Sequence, residues 1–306
     1  MNERFNFYDI YGYLLPGGLL FILLWFPFGL LLNQWPPAGW GSAAIGLGLA
    51  YITGHLIHAL SEAAFPSKVK DKDKNERHPS DLLLDNEGEK ELLPQYRLGE
   101  MKEGLAKQIE GKFNIKIDVN AKWTKDLAIK RSVAFFKCRS FLIEKKAAAY
   151  AEQHQGMYAL MRGSGAAFVL ASALYFGLAI GYLLGRWIPI YLILTLFFGI
   201  LAIAFISGIY CLSPHYERTA RKILLWIFTL ILVSSGMIAT QIIAQSSTSL
   251  ELFFLLFALA AIAGILSFIC FSAYKAFAIY FAATVYRDFS MYIDTSQQIG
   301  NGPSKQ

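Results

Sequence analysis

Six apolar stretches, each close to the roughly 20 residues a helix needs to cross a bilayer, alternate with polar segments along the chain. They fall at 11–33, 41–60, 166–185, 188–211, 223–244 and 252–273, and none carries a charged residue near its middle. The pattern predicts an all-α integral membrane protein with six transmembrane helices. The stretches "NQWPPAGWG", "RW" and "QSSTSLE" that join successive members are very short. The spans therefore pair as three helical hairpins, with Trp35, Trp40 and Trp187 marking the outer interface, where amphipathic aromatics collect. The first apolar run lacks a compact basic segment before it and a small-residue cleavage site after it, so it is expected to stay as a span.

Between the second and third spans lies a polar insert too long for a simple connection. The same pattern divides the chain into a first hairpin with an interfacial N-terminus (1–63), the insert (64–163), two further hairpins (164–286) and a tail (287–306). The charged, Pro-flanked stretch 64–92 is expected to be a mobile linker, and 93–163 a mostly helical module. Leu98, Met101, Leu105, Ile109 and Phe113 recur at helical spacing. "NIKIDVN" alternates Ile115, Ile117 and Val119, a short strand signal. Thr124 then caps a long pattern through Ile129, Val133, Phe136, Ser140, Ile143, Ala147, Tyr150, His154, Met157 and Met161. Its alternating spacing of three and four is that of a coiled-coil seam. Phe136, Ile143 and Tyr150 are its interaction candidates. The seam can pack on the 96–113 helix, pair subunits into a homo-oligomer through 124–161, or lie on the membrane surface.

Composition agrees with the pattern: 55% of the 306 residues are hydrophobic, 16% are charged, and the mean hydropathy is +0.42. Charge adds the orientation. With alternating crossings, 27 of the 28 Lys and Arg residues fall on one side, 20 of them in 61–163, and only Arg186 on the other. Basic loops stay cytoplasmic, so both termini and the insert are expected to face the cytoplasm. The net charge of +6 then records topology and contact with anionic headgroups. The basic residues of 61–163 are interleaved with 16 acidic ones, which argues against a nucleic-acid patch. Cys138, Cys211 and Cys270 are far apart, with no C-x-x-C and so no disulfide framework or zinc site.

The candidate chemistry is sparse. "GHLIHALSE" places His55, His58 and Glu62 on one helical face. Two imidazoles and a carboxylate could hold a divalent cation or respond to protons, with further ligands from Asp9 or His215. The spacing differs from the helical zinc signature, which separates its histidines by four. The same residues also suit plain hydrogen bonding where a span meets headgroups. At the N-terminus, "FNFYDIYGYLLPGGLL" sets aromatic residues beside Asp9, and Pro16 suits the first turn of a helix. That stretch reads as a membrane-interface segment with a tight turn, or as a gate. The ends of spans four and six, "GIYCLSPHY" and "SFICFSAYK", align a Cys and a Ser, a candidate repeat. Phosphate-loop, nucleophile-elbow and metalloprotease motifs are absent, and no cofactor is expected.

Tyr8, Asp9, Ile10, Tyr13, Leu15, Pro16 and Gly17, followed by Gly54, His55 and Leu60, resemble a group of uncharacterised bacterial inner-membrane proteins with an N-terminal D-I-x-x-Y-x-L-P-G motif. Members of that group are linked to anti-phage defence loci, where membrane proteins serve as effectors. The resemblance covers residues 8–60 and brings no catalytic residues. The uncharged span centres and the absent catalytic motifs, with the resemblance as a pointer to biology, lead to the expectation of a non-catalytic multi-pass effector or signalling component, controlled through its insert by a cytoplasmic protein or small-molecule signal and altering permeability as an oligomer. The alternatives are a membrane-embedded enzyme or metal- or proton-responsive protein using the His55, His58 and Glu62 face, and an anchor that recruits a cytoplasmic partner.

Overall fold

The structure, a computed structural model, describes residues 7–33, 35, 39–64, 69–70, 76–90, 92, 95, 97–184, 226–227, 229–235, 237–238 and 250–300. It is helical apart from one two-residue ladder, and four of its helices are long and apolar enough to cross a membrane. The apolar windows 188–211 and most of 223–244, Cys211, His215 and the fourth-span half of the candidate repeat lie outside the described residues. The chain forms two compact units: residues 1–66 with 159–274, and residues 67–158 with 275–306.

The first unit begins with α1 (Phe7–Asp9), a π-helical turn (Ile10–Leu14) and α2 (Leu15–Leu32), continuous in the chain. The interfacial segment with a tight turn expected here is thus helix throughout its described part. Pro16 has no N–H to give the Gly12 carbonyl, and its ring would crowd that carbonyl in a regular α-helix. The π turn, closed by the Leu15 N–H on the Ile10 carbonyl, widens the helix just before the proline. Asn33 then adopts a left-handed conformation at φ 50°, ending α2. The chain returns as α3 (Trp40–Ala64), which packs on α2. Residues 159–184 of α8 (Ala149–Leu184) and 250–274 of α9 (Leu250–Gly300) also belong to this unit. Their core gathers Leu174, Tyr175, Leu178 and Leu256. Hydroxyls stitch helices to neighbouring backbone: Tyr175 donates to the Leu23 carbonyl at 2.7 Å, Ser172 to Ala260 at 2.9 Å and Ser267 to Gly165 at 3.0 Å. Where lipid surrounds a helix, such polar links and close backbone packing replace the hydrophobic drive.

The second unit has β1 (Val69–Lys70) paired antiparallel to β2 (Glu76–Arg77), then α4 (Pro79–Leu83), α5 (Asn86–Lys90), α6 (Met101–Phe113) and α7 (Lys125–Glu144). Residues 149–158 of α8 and the last part of α9 belong to it. The sequence reading needs four corrections here. Within the expected mobile linker 64–92, residues 76–90 carry ordered elements, and Leu82, Leu83 and Leu84 are buried in the unit's core. The 115–119 segment alternates inward at Ile117 and Val119, yet it is no strand and forms no ladder among the described residues. It packs into a helical core, where the Asn86 N–H donates to the Val119 carbonyl at 3.2 Å.

The third correction concerns the seam. Thr124 does cap α7, its hydroxyl accepting from the Leu127 N–H at 3.2 Å. But the seam is two helices, broken after Glu144, where Lys146 turns left-handed at φ 55° and the Ala147 N–H closes back on the Leu142 carbonyl at 2.8 Å. A single pairing helix over 124–161 does not form. The fourth moves a boundary from 286 to 274. Beyond Tyr274, α9 turns Ala282, Ala283, Val285, Tyr286 and Phe289 into the core of the second unit. Phe289 stacks on Phe113 at 5.5 Å, and the Tyr286 hydroxyl donates to the Ser80 carbonyl at 3.2 Å. Residues 287–294 are therefore part of a packed helix, which runs on to Gly300. Arg287 donates to the Gln95 and Arg97 carbonyls, and the Gln108 amide donates to Asp294 at 2.7 Å. Burying Tyr286 and Phe289 contributes about 1.5–3 kcal/mol each, enough to hold this helix in the core.

Candidate functional site

In the first unit the two halves of the N-terminal pattern meet. A Cβ on Gly17 would overlap the Ala50 backbone, and one on Gly54 would overlap the Tyr13 backbone. Two positions without side chains thus let α2 and the π turn lie against α3, as small residues do between membrane helices. On α8, Gly163 would place a Cβ 2.8 Å from the Pro16 ring, and Gly12 approaches Ala159. Pro16 is buried in this contact, which accounts for it as a packing element.

The histidines sit in the aromatic wall this packing creates. Tyr13 stacks on His55 with ring centres 3.9 Å apart, and Tyr51 meets His55 edge-on at 4.7 Å. Tyr8 and Tyr13 present edges to His58 at 6.2 and 5.2 Å. His55 itself is exposed, His58 half-buried and Glu62 exposed. Asp9 is half-buried on the helix that carries Tyr8.

One charged residue joins the cluster from α8. Arg162 is only 6% exposed, and one of its guanidinium nitrogens lies 3.0 Å from His58 Nε2 and 3.2 Å from Nδ1. It can donate to only one of them, and that nitrogen must be unprotonated. A guanidinium this close to the ring repels a divalent cation with several kcal/mol at the effective dielectric of a partly buried site. The arrangement therefore opposes a metal on His58, and it suits a hydrogen-bonded tie between α3 and α8. Among the described residues, no three His, Cys, Asp or Glu side chains converge as a metal ion would need. The cluster holds a cation, imidazoles and phenols, and no nucleophile activated by a base.

The second unit contains a different polar centre. Arg77 and Arg131, 4% and 0% exposed, face Asp81 and Asp85. Arg77 Nε contacts Asp81 at 2.9 Å and its Nη1 contacts Asp85 at 2.6 Å, while Arg131 Nη1 contacts Asp81 at 3.1 Å. Trp123 donates its indole N–H to Asp81 at 3.0 Å, and Arg131 donates to the Asp118 carbonyl at 3.1 Å. Burial alone would lower the Arg77 pKa, but the hydrogen bonds and charges of Asp81 and Asp85 outweigh it and raise the value above the ordinary one. These two cations and two carboxylates balance, and the network ties β2, α4 and α7 together.

Of the seam candidates, Phe136 is 59% exposed, Ile143 44% and Tyr150 70%. The first two share one outer face of α7, and Tyr150 lies on the next helix. Neither Arg162 nor the Arg77–Asp81–Arg131 network stands out in the sequence reading. The available signals were an arginine one residue before Gly163 at the mouth of a span, and an R-x-x-x-D spacing inside a stretch that otherwise reads as linker. Comparisons of the chain with family models, curated proteins and solved structures give no match.

Proposed function

We propose that the chain is a six-span bacterial inner-membrane protein with three helical hairpins, both termini and the insert in the cytoplasm, acting without catalysis as a membrane effector or signalling component. On this reading, a signal received by the insert changes permeability through an assembly of several copies. The observation that carries it is continuity. Two helices, α8 and α9, each contribute residues to both units, so the insert's core includes the ends of helices that are also candidate spans. The defence-linked resemblance of the N-terminal motif supports the same class. The enzyme and metal reading loses ground because the best ligand, His58, faces a guanidinium.

The test compares wild-type protein with Arg131→Met, which disturbs the insert and leaves the spans intact, at equal membrane levels. Membrane-potential and dye-permeability readings should differ between the two. Identical readings would contradict control through the insert. For orientation, a periplasm-active reporter fused at Gly302 should stay silent and one at Ser247 should be active; the reverse would overturn the topology.

A further inference from the structure

The outer face of α7 carries large hydrophobic side chains that are exposed among the described residues. Its inner face, Arg131, Ala134, Phe135, Cys138 and Leu142, is buried. Opposite, Ile129 is 54% exposed, Val133 44%, Phe136 59% and Ile143 44%, and their spacing aligns them in one stripe. A row of large hydrophobics on a helix whose other side is already satisfied marks an interaction surface. Charge selects the partner. Lys122, Lys125, Lys130, Lys137, Lys145 and Lys146 are all exposed on or beside the helix, against Asp126 and Glu144. Lys145 already pairs with Glu144 at 3.0 Å. Lys130 and Lys137, seven apart, border the stripe on the same side.

We propose that this face of α7 docks onto an anionic lipid surface. An apolar stripe bordered by lysines is the pattern of helices lying in the headgroup plane, with lysine stems snorkelling to phosphates. Anionic headgroups attract such a cationic rim. A second copy would instead bring the same cationic excess against itself. Phe136 also walls a cavity of about 200 Å³ with Phe135, Tyr158 and Phe281, which gives the stripe a recess that an acyl chain can fill. The inference is independent of the effector reading, since a docked insert could equally serve an anchor.

The test places the photoreactive residue p-benzoylphenylalanine at position 136 of the full chain, in vesicles of phosphatidylcholine with or without phosphatidylglycerol. Irradiation should give lipid adducts in the anionic vesicles, reduced severalfold in pure phosphatidylcholine and in the Lys130→Glu, Lys137→Glu double variant. Cross-links to a second copy, adducts indifferent to lipid charge, or no adduct in either vesicle would each overturn the proposal. Position 136 is exposed, so the label leaves the core intact.

Discussion

The two units solve opposite problems. In the first, large apolar side chains such as Ile45, Ile52, Ile265 and Phe268 are 61–69% exposed, and glycines at the helix crossings bring backbones together. In the second, a core of leucines and aromatics such as Leu83, Tyr286 and Phe289 is buried, and the Arg77, Arg131, Asp81 and Asp85 network is sealed inside with it. The contrast follows from the solvent each unit answers to. Lipid gives apolar side chains no reason to hide, so specificity falls to close approach and hydrogen bonds. A buried apolar core of the second unit's kind is what water drives together, and its buried ion network fixes which helices meet.

The largest expected effect is therefore in the second unit. Arg131→Met leaves Asp81 and Asp85 buried against Arg77 without the second guanidinium, and breaking a buried pair this way costs about 3–5 kcal/mol. Denaturant unfolding of the solubilised protein should lose most of the second unit's stability while the helical signal of the spans persists. A shift below about 1 kcal/mol would mean that the network is not closed as described.

Next comes the glycine crossing. Gly54→Ala forces a Cβ into the Tyr13 backbone, whereas Gly48→Ala on the same helix meets nothing within 4 Å. Overpacking of that kind costs about 1–3 kcal/mol. Gly54→Ala should lower the midpoint of thermal unfolding in detergent, and Gly48→Ala should leave it unchanged or raise it. Equal effects would remove the distinction drawn between the two positions.

What was legible in the sequence followed periodicity over long windows. The four candidate spans fall on apolar stretches, and the Thr124 cap stood where a hydroxyl precedes a helical pattern. Two kinds of feature stayed hidden. Tyr286 and Phe289 lie in a helix whose apolar window ends earlier, and only contact with Phe113 and Ser80, far away in sequence, turns that extension into core. Arg77 and Asp81 read as linker because charge is a surface signal unless a partner such as Arg131 closes over it. The seam misled for the reverse reason. Its spacing was real on α7, but Lys146 breaks the helix, and the stripe faces outward rather than against α6.

The smallest effect belongs to the histidines. His58→Gln keeps an acceptor for Arg162, so the change in stability should stay within about 1 kcal/mol. His55→Gln should be equally mild. Elemental analysis of purified wild-type protein should find no stoichiometric transition metal. Near-unit zinc, iron or manganese lost in either variant would reinstate the metal reading.

The central claim is that the insert and residues 275–296 form one folded unit. Hydrogen exchange on the full chain in lipid nanodiscs tests it most directly, because amides in one cooperative unit open together. Amides around Ala282, Tyr286 and Phe289 should be protected to the same degree as those around Ile109 and Leu142, and Arg131→Met should release both sets in parallel. Rapid exchange at 282–289 in the wild type, or protection there that ignores the loss of Arg131, would contradict it.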